Sequence, residues 1–120
     1  MDTSSLMMPV ECGVRVFEEL DRLLGEVDPL APQPVVAELE SLASGAGEEA
    51  TAASVGLDLS KRCDVRETEA RYADDAVLEL AVAEGAYAVT NDLPLRDRLL
   101  DSGVPVIGLR GRNTLAITEP

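Results

Sequence analysis

Carboxylates are the chemically versatile side chains that this sequence holds in number. Of its 120 residues, 23 are Asp or Glu and none is histidine. The lack of histidine removes Ser-His-Asp and Cys-His catalysis, histidine general bases and most zinc sites. Gly45-Ala46-Gly47 lacks the rest of a phosphate-binding loop and has no strand before it. Cys12 and Cys63 stand far apart and match no metal or redox spacing, as expected of two idle thiols in a cytoplasmic protein. The natural partner of the remaining carboxylates is a hard cation bound through oxygen, Mg²⁺ or Mn²⁺.

Four acids stand where such chemistry would happen. Asp92 follows an apolar strand and precedes a helix; Asp74 and Asp75 lead into another helix; Asp2 heads a Thr-Ser turn. Ligands in open α/β sheets collect beyond the carboxyl ends of the strands, where these acids fall. Asp is also a favoured helix cap, so Asp74, Asp75 and Asp92 taken singly are caps before they are ligands. For Asp2 a plain turn role is equally open. Glu38 fits a solvated helix face, since it and Glu40 flank the stripe of Val35, Val36, Leu39 and Leu42 about equally.

The elements that would carry these acids follow from apolar spacing. Val16, Phe17, Leu20, Leu23 and Leu24 predict a helix over 11–24 ended by Gly25, and a brief strand is expected near Leu30. Pro34 opens a helix to Ala43, and Glu48–Leu59 reads as an alanine-rich one. A strand over Cys63–Thr68 precedes an apolar helix over Ala73–Glu84, closed by Gly85. Tyr87–Thr90 and Val104–Leu109 read as strands around a helix over Leu93–Ser102, and Asn113–Thr118 as a last strand. Short apolar strands alternating with helices predict a three-layer α/β/α fold, one domain over residues 1–120, on a central parallel sheet.

Read together, four segments resemble the ordered signatures of PIN domains: Asp2-Thr3-Ser4-Ser5-Leu6, Pro34-Val35-Val36-Ala37-Glu38-Leu39, Tyr72-Ala73-Asp74-Asp75-Ala76 and Thr90-Asn91-Asp92-Leu93-Pro94-Leu95-Arg96. The tail Gly103-Val104-Pro105-Val106-Ile107 with Leu109-Arg110 is similar as well, and the archaeal single-domain branch related to ribosomal-RNA maturation nucleases is the nearest likeness. The resemblance implies a Mg²⁺- or Mn²⁺-dependent endoribonuclease of the cytoplasm. Asp2, Glu38, Asp75 and Asp92 take the positions of the metal-binding acids, with Asp74 as a neighbour that could exchange roles with Asp75. Thr90 or Asn91 would hold a water or an acid behind them. Arg96, Arg98, Arg110 and Arg112 would touch the RNA backbone, or simply offset surface acid. Expected partners are RNA, a second copy of the chain, and an antitoxin or a ribosome-assembly protein. A catalytically silent PIN module that binds RNA or protein is the alternative. A phosphatase on a similar sheet would want a lysine near the site, and Lys61, the sole lysine, lies in the wrong segment. The resemblance also implies a buried first strand ending at Asp2. Only Met1 precedes that residue here, so the strand is expected from chain upstream, and without it two strands should face an open central slot.

Global charge sets the conditions for any RNA chemistry. Ten basic residues against 23 acids leave a net charge of −13. Such an excess repels phosphate. It suits a protein hydrated in concentrated salt, where charges are screened within about 3 Å, and a halophilic source is expected, an archaeal one being what the resemblance implies. No apolar run reaches membrane-spanning length. If the acidic surface is an adaptation to salt, the melting temperature followed by circular dichroism should be higher in molar KCl than in dilute buffer. Greater stability in dilute buffer would count against it.

Overall fold

A computed structural model describes residues 1–120. The elements run α1 (Thr3–Glu11), α2 (Val16–Leu24), β1 (Leu30–Pro32), α3 (Gln33–Ala43), α4 (Gly47–Leu59), a 3-10 turn at Ser60–Arg62, β2 (Asp64–Arg66), α5 (Ala73–Glu84), β3 (Ala88–Val89), α6 (Leu93–Asp101), β4 (Val106–Arg110) and β5 (Thr114–Thr118). Short parallel strands alternate with helices, as the apolar spacing requires. The strands are shorter than expected, and one expectation needs correction at the start. The helix expected over 11–24 begins only at Val16, as α2, and Thr3–Glu11, where no helix is expected, forms α1, with Gly13 at φ 66° between the two.

Local sequence explains most of the boundaries. Glu18 and Glu19 in the first turn of α2 and Arg22 in its last complement the helix dipole. Val35 and Leu39, four apart on α3, are both fully buried. Gly85 closes α5 in the left-handed conformation, φ 59°, which an L side chain rarely adopts. α1 starts at an Asp2 cap and buries Leu6, Met7 and Met8. It packs on α4, whose buried face is built from Ala52, Ala53 and Gly56. A Cβ at Gly56 would stand 2.9 Å from the Leu6 carbonyl oxygen, so the close approach of these helices requires glycine there.

The sheet is divided. β1 pairs in parallel with β2, Leu30 opposite Asp64. β3 pairs in parallel with β4, Ala88 opposite Val106, and β5 runs antiparallel on the far side of β4. No ladder joins β1 to β3. Met1 and Asp2 span the gap: the Met1 amine donates to Leu30 O at 2.7 Å and the Asp2 N–H to Val89 O at 3.2 Å. These two donors point to opposite sides, as successive amides of a central strand do.

Beyond Met1 the gap continues as a cavity of about 270 Å³ with a mainly apolar lining that includes Leu24, Val27, Leu30, Val77, Tyr87 and Val89. Its edges have backbone to offer. Ala88 and Thr90 give their N–H groups to Pro105 O and Ile107 O on the β4 side, both at 3.0 Å, so Tyr87 and Val89 face the slot. Likewise Pro29 O accepts from Asp64 N–H at 2.8 Å, which turns Leu30 toward the slot. The open central position therefore has the shape expected of a strand's seat.

A Val/Ile/Leu-rich segment of about five residues joined ahead of Met1 should enter this slot and bury its side chains. Against a Gly/Ser segment of equal length it should raise the melting temperature by about 5 °C or more. Equal melting temperatures of the two fusions would show that the slot takes no strand.

Candidate functional site

Asp2 is the most constrained acid in the molecule. It is 3% exposed, yet both carboxylate oxygens have partners. Oδ1 accepts from the Ser5 N–H at 2.8 Å, which makes Asp2 the N-cap of α1 rather than the head of a plain turn. Ser4 Oγ approaches the two oxygens at 3.0 and 2.8 Å, and Thr90 Oγ1 donates to Oδ2 in a short hydrogen bond. Burial pushes the Asp2 carboxyl above its ordinary value near 3.8, while the hydrogen bonds from Thr90, Ser5 and Ser4 pull it back.

Thr90 ties that acid to the next. Its Oγ1 also accepts the Asp92 N–H at 3.0 Å, and Asp92 Oδ1 caps α6 by accepting the Leu95 N–H at 2.9 Å. The Asn91 N–H donates to Ser4 Oγ at 2.9 Å. Of the two residues expected behind the acids, Thr90 thus touches Asp2 by its side chain and Asn91 reaches the cluster by its backbone. Ser4 and Ser5 were not singled out by sequence. For Ser4 the signal was there: a hydroxyl two residues after an Asp can close a local turn on that carboxylate, whereas the Ser5 hydroxyl donates to the Asp2 carbonyl oxygen at 2.9 Å.

Asp74 and Asp75 both lie in the first turn of α5, whose cap is Tyr72, so neither serves as the cap. Their surroundings differ. The Asp74 carboxyl is raised above its ordinary value by partial burial, then by the charges of Asp92, Asp2 and Glu38, and lowered by Arg98. It therefore senses three of the other four candidate acids, from three separate segments. Asp75 accepts from Arg98 Nη2 at 2.7 Å. Glu38 is exposed on α3. Arg96, Arg110 and Arg112 are exposed as well, and their side chains form no ion pair. The register sets Arg110 three residues past Ile107, the partner of Val89, and so beyond the same carboxyl edge as Asp92.

The donor set is all carboxylate, the chemistry that suits a hard divalent cation. No three of these acids stand close enough, as the side chains lie, to hold an ion. Glu38 and Asp74 are open to solvent, whereas Asp2 is fixed by its hydrogen bonds.

A parallel α/β sheet with acids from several segments at one carboxyl edge defines the class of the domain. A model of the PIN like domain family matches residues 1–112, and the chain belongs to that family. It is 27% identical over 121 residues to Ribonuclease VapC4 of Methanocaldococcus jannaschii, the alignment covering 97% of this chain and 92% of that protein. The structure of the PIN domain endonuclease Utp24 is similar with a TM-score of 0.80 at 24% identity, covering 99% of this chain and 89% of that one. No helix is long and apolar enough to cross a membrane.

The raised Asp2 carboxyl carries a pH signature. A folded pKa above the unfolded one means that the folded state binds the proton more tightly. Stability from this group is then present below about pH 4 and lost as pH rises through the folded value. Asp2→Asn, which keeps an oxygen for the Ser5 N–H, should therefore gain in melting temperature over the parent as pH rises from about 4 to 6 without divalent metal. A gap between the two proteins that stays constant or shrinks over that range would show that burial does not raise this carboxyl.

Proposed function

We propose that the protein is a divalent-metal-dependent ribonuclease that hydrolyses RNA phosphodiester bonds, with Asp2, Glu38, Asp74 and Asp92 as the carboxylates that hold Mg²⁺ or Mn²⁺. The observation that carries this reading is Asp74, whose carboxyl, raised first by partial burial, is raised further by the charges of Asp92, Asp2 and Glu38, acids of three other segments. Two carboxylates about 5 Å apart repel by roughly 3 kcal/mol at an effective dielectric near 20, and a cation reverses the sign of that interaction. Membership of the PIN like family and the likeness to a protein named as a ribonuclease support the same reaction. The preference for Asp75 that the resemblance suggested gives way to Asp74, because Asp75 is engaged by Arg98.

In this reading the chain's residues divide the work. Asp2, locked by Ser5 and Thr90, is the rigid ligand; Glu38 and Asp74 close from the solvent side; Asp92 offers the oxygen that its cap leaves free. A bound divalent cation supplies an activated water and neutralises charge on the phosphate. Arg110 and Arg112, beyond the same edge, would meet the RNA backbone. The second reading, a silent module that binds RNA without cutting it, is favoured by the failure of any three acids to converge.

With Mn²⁺ or Mg²⁺ the protein should cleave single-stranded RNA. Asp74→Asn, Asp92→Asn and Glu38→Gln should each lower the rate by about 100-fold or more while leaving the circular-dichroism spectrum unchanged. RNA retained on the protein without cleavage in either metal would favour the silent module. Full activity in all three variants would remove the acids from the site.

A further inference from the structure

We infer that Asp75 and Arg98 are positioning residues, an ion pair that braces the first turn of α5 against α6 and so fixes the spacing of the Asp74 and Asp92 carboxylates. The inference rests on the metal-dependent reading above and assigns new roles to two residues otherwise read as a ligand and an RNA contact. Arg98 Nη2 stands 2.7 Å from Asp75 Oδ1, and no other side-chain polar contact joins α5 to α6. Asp74 directly precedes Asp75 on the same helical turn, while Asp92 caps the helix that carries Arg98. Movement of α5 relative to α6 would therefore change the distance between two of the proposed ligands.

The physical need for a brace follows from charge. Asp74 and Asp92 are like charges at the starts of neighbouring helices, and their repulsion pushes those starts apart whenever no cation lies between them. A salt bridge one residue from Asp74 opposes that movement. Both partners are 47% exposed, so the pair contributes little to global stability and its removal leaves the fold intact. Its effect should be local, on the affinity for metal.

Mn²⁺ binding by the full chain without RNA, measured by calorimetry, tests this on the parent, Arg98→Gln, Asp75→Asn, the double variant and Arg98→Lys. Each single variant should weaken Mn²⁺ binding by about three- to fivefold, the double no further than either, and Arg98→Lys should restore most of the loss. Metal-free melting temperatures should match the parent's. Charge alone predicts the opposite for Arg98→Gln, since removing a cation beside a cation site tightens binding, so tighter or unchanged binding overturns the brace. A direct ligand role for Asp75 is the outcome if Asp75→Asn far exceeds Arg98→Gln and the two effects add. An effect on RNA cleavage with none on Mn²⁺ affinity would make Arg98 an RNA contact instead. A parent that binds Mn²⁺ while both single variants match it overturns the brace alone. A parent that binds no Mn²⁺ overturns the brace together with the metal-dependent reading.

Discussion

The buried carboxylate of Asp2 sets terms that the neighbouring segments have to meet. A carboxylate removed from water costs several kcal/mol unless hydrogen bonds replace the lost solvation. Ser5 gives a backbone donor and Ser4 a hydroxyl, both from the first turn of α1, and Thr90 brings a second hydroxyl from the end of β3. The same residue starts α1 through its side chain and reaches β3 through its amide, while the preceding Met1 reaches β1. The halves of a divided sheet, the first helix and the start of α6 therefore meet around one acid. Thr90 suits its place because a β-branched residue fits the end of a strand, and its hydroxyl can donate to Asp2 while accepting from Asp92.

That concentration of acid works against the fold and, on the proposed reading, for the chemistry. Burial raises the Asp2 carboxyl, and three like charges add to partial burial in raising that of Asp74. In each case the ionised form is the one the folded state tolerates less, and it is also the form that would ligate a cation. A sequence selected only for stability would replace these acids with amides of the same shape. On the proposed reading a cation removes the conflict, which is why stability and metal binding should be linked in this molecule.

Much of this arrangement is legible in the residues, and the gaps have physical causes. The starts and stops of α3, α5 and α6 are written in Pro34, Gly85 and Gly103, and the continuous apolar runs mark β3 and β4. The first helix was not legible. Thr3, Ser4 and Ser5 are weak helix formers and Pro9 lacks a donor, so propensity argues against α1. Packing of Leu6, Met7 and Met8 against small residues of α4 overrides it. The choice between Asp74 and Asp75 was equally out of reach. Consecutive residues on a helix point about 100° apart, and nothing in Asp-Asp says which one faces the strand ends. The phase becomes visible only when Arg98, more than twenty residues later, lies beside one of them. Glu38 stayed open for the same reason: its helix has no strongly polar side to fix its direction.

The acidic surface and an RNA substrate are compatible because their interactions act over different distances. A net charge of −13 repels phosphate over the screening length, about 10 Å in dilute salt and about 3 Å near 1 M. Coordination and hydrogen bonds act at contact, roughly 2–3 Å, and survive where the long-range field does not. On the proposed reading, the surface charge in concentrated salt would keep the protein hydrated with little penalty to an approaching RNA, and recognition would fall to groups at the carboxyl edge of the sheet. Of the chain's one lysine and nine arginines, Arg15, Arg22, Lys61 and Arg66 pair with surface acids outside the cluster. Arg98 is tied to an acid of the cluster, and Arg110 lies beyond the same edge. Such a surface gives up electrostatic steering and leaves specificity to short-range geometry.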